Sequence, residues 1–330
     1  MRTPVEWFLE SKAGRRLLQR SDVLRAVSRL ARNPVGRRLV AAFETRVLAQ
    51  MLARTMTPGP HGRAMGYLFD RYEPGRGAKE IYADVFSPQR FERGYQSQMG
   101  QDLFLNRWIF KDRGPGVFVD VGAFDGELGS NTAFFEKRLG WTGVAFEPNP
   151  PEFTALRRTR SCRAIQGCAY DRDGEVSFLA LSEKEGRPRA ERLRPPPNLT
   201  SMALDPRHGA VMLSGIREHI GSLERVDRLR ELRDLGQDLI TVPCYRIDSV
   251  LDEVGVRTVD YLTVDVEGAE LEVLEGIDFS KVRVNVIGVE SSPRFPDMYR
   301  LLTEAGFEYQ GLLFFDEIFV HRERRFTWER

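Results

Sequence analysis

The stretch that decides the fold is FVDVGAFDG at residues 118–126, a β-branched and aromatic run that ends in glycines and acids. Such a run is typical of a strand buried on both faces of a parallel sheet. The glycines allow a sharp turn after the strand and a close approach of the backbone to a ligand. Because ligands of open parallel sheets bind beyond the carboxyl ends of the strands, this loop is the first candidate for a binding site.

Strands and helices alternate on both sides of this stretch. Strands are predicted at 143–147, 164–169, 175–181, 239–244, 259–265, 284–290, 307–314 and 317–321. Helices are predicted at 130–139, with Ser130 or Asn131 as cap, and at 150–158, 247–254, 269–275 and 296–305. This alternation predicts an α/β, Rossmann-like fold with a mostly parallel sheet covered on both faces.

The chain divides into three parts. Residues 1–57 have apolar positions at helical spacing and many arginines, which predicts a basic helical N-terminal segment. Residues 58–94 begin rich in glycine and proline and are interpreted as a linker and lead-in. Residues 95–330 form the α/β domain, and the stretch 182–238 breaks its rhythm with a proline run and a charged helix near 217–235. That stretch is interpreted as an insertion.

Composition excludes several classes of protein. The net charge is +1, which gives no strong attraction to nucleic acid. Three cysteines without a CxxC pair argue against a disulfide scaffold or a structural zinc site. No apolar run is long enough to span a bilayer and no secretory signal is recognised, so a cytoplasmic location is expected. The basic segment 1–57 could pack on the core, form a homo-oligomer surface, or lie as a peripheral contact on an anionic membrane.

The acids of the first loop indicate the kind of cofactor. The loop reads DxGxxxG, with Asp120 and Asp125 flanking it, and lacks the GxGxxG that cradles a pyrophosphate. Carboxylates repel phosphates but suit a cationic amino acid with a sulfonium centre. Glu147 ends the second strand, where a carboxylate can accept hydrogen bonds from two ribose hydroxyls. These residues favour S-adenosylmethionine over a nicotinamide cofactor.

A family resemblance emerges from eight stretches in order. They are SQMGQD (97–102), FVDVGAFDG (118–126), SNT (130–132), GWTG (140–143), FEPNP (146–150), DGEVSF (173–178), PCYRIDSVL (243–251) and VDYLTVDVEGAELEVLEG (259–276). The chain resembles the FkbM family of class I methyltransferases over roughly residues 95–321, weakly across 182–238. The resemblance implies a seven-stranded sheet whose last strand is antiparallel.

The resemblance also implies the site. Asp120, Gly122 and Asp125 would line the methionine part of S-adenosylmethionine, Glu147 would hold the ribose, and Ala169 would border the adenine. The full set of expected cofactor-binding residues is Gln98, Gln101, Asp120, Gly122, Ala123, Phe124, Asp125, Asn131, Glu147, Pro148, Ala169 and Asp265. Asp265 and Glu267 would lie beside the transferred methyl and are the expected catalytic residues.

Methyl transfer to a hydroxyl benefits from a base that removes its proton. Asp265 and Glu267 are placed for that role, although Glu267 could instead only cap the next helix. Together with Glu290 they could alternatively hold a divalent metal, a role we do not expect. His208 and His219 of the insertion are alternative bases, and a loop histidine is more often simply solvated.

The expected function is S-adenosylmethionine-dependent O-methylation of a small-molecule acceptor, a sugar or secondary-metabolite hydroxyl. One alternative is an N-methyltransferase acting on a peptide or small amine. Another is a catalytically inactive protein that keeps the fold for binding. Methylation of nucleic acid is not expected, because no NPPY-type tetrapeptide follows the fourth core strand.

Overall fold

The structure is a computed structural model that describes residues 68, 70–75, 89–183, 214–219 and 235–329. The strands in these ranges are β1 Val117–Val121, β2 Thr142–Phe146, β3 Arg163–Ile165, β4 Cys168–Ala169, β5 Gly174–Glu183, β6 Gly215–Ile216, β7 Leu235–Tyr245, β8 Thr258–Val264, β9 Arg283–Glu290, β10 Phe307–Leu313 and β11 Asp316–His321. The α-helices are α1 Gln89–Glu92, α2 Gln101–Phe104, α3 Ala133–Leu139, α4 Pro150–Thr159, α5 Ile247–Glu253, α6 Glu270–Glu275 and α7 Phe295–Glu304. A π-helical stretch, Leu105–Phe110, continues α2.

The main sheet has seven strands in the order β10-β11-β9-β8-β1-β2-β3. The pairs β1–β2, β2–β3, β1–β8 and β8–β9 are parallel, whereas β11 runs antiparallel to both β9 and β10. The predicted seven-stranded, mostly parallel sheet with an antiparallel last strand is therefore confirmed. The order reverses beside β1, which places the switch point between β1 and β8.

A second sheet of four strands, in the order β4-β7-β5-β6, lies outside the main one. The stretches 175–181 and 239–244 were expected to join the mostly parallel sheet, and this was wrong, because β5 and β7 pair antiparallel with each other. In the first half of β5, Val176 and Phe178 are buried whereas Glu175 and Ser177 are exposed, which is the alternation of an antiparallel sheet with one solvent-exposed face.

The predicted single strand 164–169 is likewise two strands, β3 in the main sheet and β4 in the second. Gly167 stands at the division. A Cβ atom there would lie 2.6 Å from the carbonyl oxygen of Pro243 on β7, too close for any other residue. The missing side chain lets the chain step from one sheet to the other.

The two faces of the main sheet bury different side chains. One face carries an aromatic cluster that includes Phe110, Phe135 and Trp141, and Leu68 from the predicted linker packs into it. The other face carries an aliphatic cluster to which Val119 and Val121 of β1 contribute. Alternation along β1 thus serves both cores, as expected for a central parallel strand.

The described residues leave out four predicted features: the helical segment 1–57, most of the linker, His208 and most of the charged helix near 217–235.

Ser130 or Asn131 was predicted to cap the helix at 130–139, but the residue that directly precedes the helix is Thr132. The helix begins at Ala133, and the Ser130 hydroxyl accepts hydrogen bonds from the backbone N–H groups of Thr132 and Ala133.

Within the described ranges, no helix combines the length and apolar character needed to cross a bilayer.

Arg160, at the end of α4, neutralises the acids buried beneath the first loop. Its side chain is fully buried, pairs with Glu136, and lies 3.7 Å from Asp120. It also donates to the Gly126 carbonyl and the Thr132 hydroxyl. A buried cation shared by two acids fixes the loop after β1 against α3 and α4.

We predict that Arg160→Met destabilises the protein by about 3–5 kcal/mol, because Asp120 and Glu136 would remain buried without their cation. The measurement is urea unfolding followed by circular dichroism. The matched control is Arg163→Ala, which removes a pair with Glu253 whose side chains are both at least half exposed and should cost less than about 1 kcal/mol. Equal effects of the two substitutions would contradict the role given to Arg160.

Candidate active site

A pocket opens at the carboxyl ends of β1, β2 and β8, where the strand order predicts a ligand site. It holds about 680 Å³ of empty space, part of which is open to solvent. Its walls are Val121, Gly122, Phe124, Phe146, Glu147, Pro148, Asn149, Gly167, Cys168, Ala169, Phe178, Ser214, Ile216, Asp265, Val266 and Glu267. Seven of the predicted site residues are among them, namely Gly122, Phe124, Glu147, Pro148, Ala169, Asp265 and Glu267.

Glu147 is held rigidly at the end of β2. Its Oε2 atom accepts a hydrogen bond of 2.9 Å from the backbone N–H of Phe124, and its Oε1 atom one of 2.8 Å from Asn149. Phe124 reaches this position with a left-handed backbone (φ 50°), a conformation that a non-glycine residue adopts at a cost. Burial raises the pKa of Glu147 to about 8. Each carboxylate oxygen keeps a lone pair for a ligand hydroxyl.

One side of the pocket is apolar. Phe146, Ala169 and Phe178 form it together with Cys168 and Ile216. The sequence predicted only Ala169 of this group. Phe178 and Ile216 belong to the second sheet, so their position depends on an antiparallel pairing that the linear sequence does not reveal. A flat, apolar wall beside a hydrogen-bonding carboxylate suits a nucleoside.

Asp265 and Glu267 give the pocket wall an acidic part, and Glu290 lies beside them outside the wall. Asp265, Glu267 and Glu290 each offer a carboxylate oxygen, and these oxygens all lie within 4.8 Å of one another. Asp265 and Glu267 follow β8, whereas Glu290 ends β9, so the parallel register of two neighbouring strands brings them together. Glu267 has a left-handed backbone (φ 58°) and precedes Gly268 (φ 121°).

Burial and mutual repulsion control how these acids ionise. Desolvation, and then the neighbouring carboxyls, raise the pKa of both Asp265 and Glu290, more strongly for Glu290. Because the pKa of Glu290 is raised the more strongly of the two, Glu290 keeps its proton more readily and can donate it in a hydrogen bond to Asp265. Burial also raises the pKa of Asp316 on β11 to about 7, and Gln101 donates a hydrogen bond to this residue. The acidic side therefore favours a bound cation.

Other predicted residues lie outside the pocket walls. Asp120 accepts a hydrogen bond from Thr132 and faces Arg160. Asp125 accepts hydrogen bonds from the backbone N–H groups of Glu127 and Leu128, which closes the loop. Three more are Ala123, which is buried, Gln98, whose backbone carbonyl accepts a hydrogen bond from Arg90, and Gln101, described above.

Asn131 carries an unsatisfied buried atom. Its Nδ2 atom donates to the Thr263 hydroxyl at 3.1 Å, but its Oδ1 atom is buried without a donor. Thr263 lies two residues before Asp265, so the two side chains point to the same face of β8. Buried carbonyl oxygens are normally hydrogen-bonded, and an exception calls for a donor from outside the chain.

His219, an alternative base in the sequence, has protein partners. Its ring Nε2 atom lies 2.8 Å from the Tyr170 hydroxyl, and its Nδ1 atom lies 3.7 Å from Glu272. It is not among the pocket walls. His219 is therefore bonded to the rim of the pocket rather than directed at the acidic side.

A family model and two relatives match this chain, and all three are named methyltransferases. The methyltransferase FkbM domain model matches residues 120–309. The chain is 30% identical over 192 residues to 31-O-demethyl-FK506 methyltransferase FkbM of Streptomyces tacrolimicus, covering 54% of this chain and 70% of that protein. It is 27% identical over 190 residues to Methyltransferase 1 of Beauveria bassiana, covering 53% of this chain and 67% of that protein.

A solved structure, the methyltransferase FkbM of Methylobacillus flagellatus, is similar at 13% identity with a TM-score of 0.39. The similarity covers 78% of this chain and spans 58% of that one. The domain match, by contrast, runs from β1 to β10 and includes Glu147, Asp265 and Glu290. The chain belongs to the methyltransferase family defined by the FkbM domain.

Proposed function

We propose that the protein is an S-adenosylmethionine-dependent methyltransferase that methylates a hydroxyl oxygen of a small molecule. The observation that carries the proposal is a pocket with a fixed carboxylate, apolar wall residues and a cluster of half-buried acids beside it, at the switch point of the sheet. Each feature corresponds to one part of this cofactor, and the family membership supplies the reaction type.

The residues present fit the cofactor. Glu147 would accept hydrogen bonds from the ribose hydroxyls, and the wall of Phe146, Ala169 and Phe178 would cover the base. Asn131 lies outside the pocket walls, and its Oδ1 atom would need to move to accept a hydrogen bond from the amino group of the methionine part. The acidic side around Asp265 would attract the positive charge.

S-adenosylmethionine supplies a methyl group on a positively charged sulfur, which makes the carbon electrophilic. The chain would hold the acceptor hydroxyl in line with that carbon, because alignment supplies much of the rate of a displacement. The carboxylate of Asp265 or Glu267 would take the proton that the acceptor hydroxyl gives up when it receives the methyl group. The raised pKa of Asp265, about 6, suits a base that works near neutral pH.

The nature of the acceptor is supported by a relative. The relative from Streptomyces tacrolimicus is a 31-O-demethyl-FK506 methyltransferase, a name that indicates methylation at an oxygen. We propose for this chain an acceptor of the same broad kind, a hydroxyl-bearing secondary metabolite or glycoside. An N-methyltransferase would share the fold and the cofactor, and a product assay with hydroxyl and amine acceptors separates the two.

We predict that Glu147→Ala weakens binding of S-adenosylmethionine about 10- to 100-fold, because two hydrogen bonds to a charged group are lost. Isothermal titration calorimetry measures the affinity. Glu275→Gln, on the exposed end of α6, is the matched control and should bind as the unchanged protein does. An unchanged affinity in Glu147→Ala would remove the ribose contact from the proposal.

We predict that Glu267→Gln lowers turnover about 100-fold or more while cofactor affinity stays nearly intact, since the loss of a general base affects the transition state. A methyl-transfer assay with labelled cofactor measures it, with Glu275→Gln again as control. Equal turnover would exclude Glu267 from the chemistry.

The same assay after dialysis against EDTA distinguishes a base from a metal ligand. We expect turnover to be retained, because the shared proton of Asp265 and Glu290 already reduces the charge of the acidic cluster. Loss of turnover that Mg²⁺ restores would instead assign Asp265, Glu267 and Glu290 to a metal site.

A further inference from the structure

Four side chains from separate segments form one chain of contacts at the rim of the pocket. The Tyr170 hydroxyl, just after β4, lies 2.8 Å from Nε2 of His219. The other ring nitrogen, Nδ1, lies 3.7 Å from Oε2 of Glu272 on α6. Glu272 pairs through its Oε1 atom with Arg294, which precedes α7. We call Tyr170, His219, Glu272 and Arg294 the rim chain.

Residues 214–219, the described part of this region of the chain, include His219 and contribute to the pocket wall. Ser214 and Ile216 of this segment line the pocket on its apolar side. The segment pairs with β5 over only two residues, and the Ser214 hydroxyl accepts a hydrogen bond from the backbone N–H of Leu181. Because so short a pairing gives little independent stability, the contacts of His219 matter for where the wall lies.

The backbone of His219 also meets the loop that carries Glu267. A Cβ atom at Gly268 would lie 2.5 Å from the carbonyl oxygen of His219, so only glycine permits this approach. Gly268 in turn donates its backbone N–H to Glu270 at 2.8 Å. The position of segment 214–219 is therefore tied to the catalytic loop as well as to the rim chain.

The rim chain contains one carboxylate oxygen that lacks a hydrogen bond. The Oε2 atom of Glu272 is buried and has no hydrogen-bond partner. The nearest ring nitrogen of His219, at 3.7 Å, is beyond hydrogen-bonding distance. A buried carboxylate oxygen without a donor is unfavourable, and a shift of His219 by less than about an ångström would satisfy it.

We propose that His219 is a positioning residue whose contacts with Tyr170 and Glu272 hold segment 214–219 as the wall against which the nucleoside packs. This inference rests on the proposed function for its ligand. It assigns His219 to cofactor binding, in contrast to a role as catalytic base.

The test is a double-mutant cycle with S-adenosylhomocysteine as the probe. We expect His219→Ala to weaken binding about 10-fold and Tyr170→Phe about 3-fold, with the double variant no weaker than His219→Ala, because both remove the same contact. His219→Gln keeps a side-chain partner for the Tyr170 hydroxyl and should recover part of the affinity. Turnover at saturating cofactor should stay within about 3-fold, which a catalytic base would not allow.

Glu218→Ala is the matched control, since Glu218 is exposed and belongs to the same segment. Hydrogen–deuterium exchange of residues 214–219 without ligand gives a readout independent of the cofactor. We expect faster exchange in His219→Ala and unchanged exchange in Glu218→Ala. Unchanged exchange and affinity in His219→Ala would overturn the inference. Failure of the unchanged protein to bind the probe would overturn the proposed function, and the exchange result would still decide the role of His219.

Discussion

The burial of several carboxyls at one edge of a parallel sheet is the constraint on which the site depends. Glu147, Asp265 and Glu290 end three strands, and the parallel arrangement brings all three to the same edge. Removal from water penalises the charged form of each. The chain reduces this penalty by backbone hydrogen bonds to Glu147 and by a shared proton between Asp265 and Glu290. A bound cation would reduce it further.

Two other parts of the fold, the buried Arg160 and the second sheet, complete the site at this edge. Arg160 offsets the charge of Asp120 and Glu136 beneath the first loop, so that loop is fixed before any ligand arrives. The second sheet supplies the apolar wall through Phe178 and Ile216. Acidic and apolar residues thus line one pocket, and a nucleoside with a charged tail is the kind of ligand that satisfies both.

The sequence predicted the features that depend on local pattern. Each of Glu147, Asp265 and Glu290 directly follows or ends a recognisable strand, so their meeting at one sheet edge followed from the parallel fold. Features that depend on contacts between distant parts of the chain could not be predicted from the sequence. Asp120 looked like a cofactor ligand, but Arg160, forty residues later in the chain, lies against it. The antiparallel pairing of β5 with β7 joins residues on either side of the insertion, and no local signal announces it.

Proton exchange on cofactor binding tests the central claim most directly. A cationic ligand beside Asp265 and Glu290 favours their ionised forms, so it should lower their pKa values and release protons. Calorimetry of S-adenosylmethionine binding near pH 6.5, repeated in buffers of different ionisation enthalpy, measures the number of protons exchanged. The account predicts net proton release and tighter binding as pH rises from about 6 to about 8. Binding without proton release, or no binding at all, would contradict it.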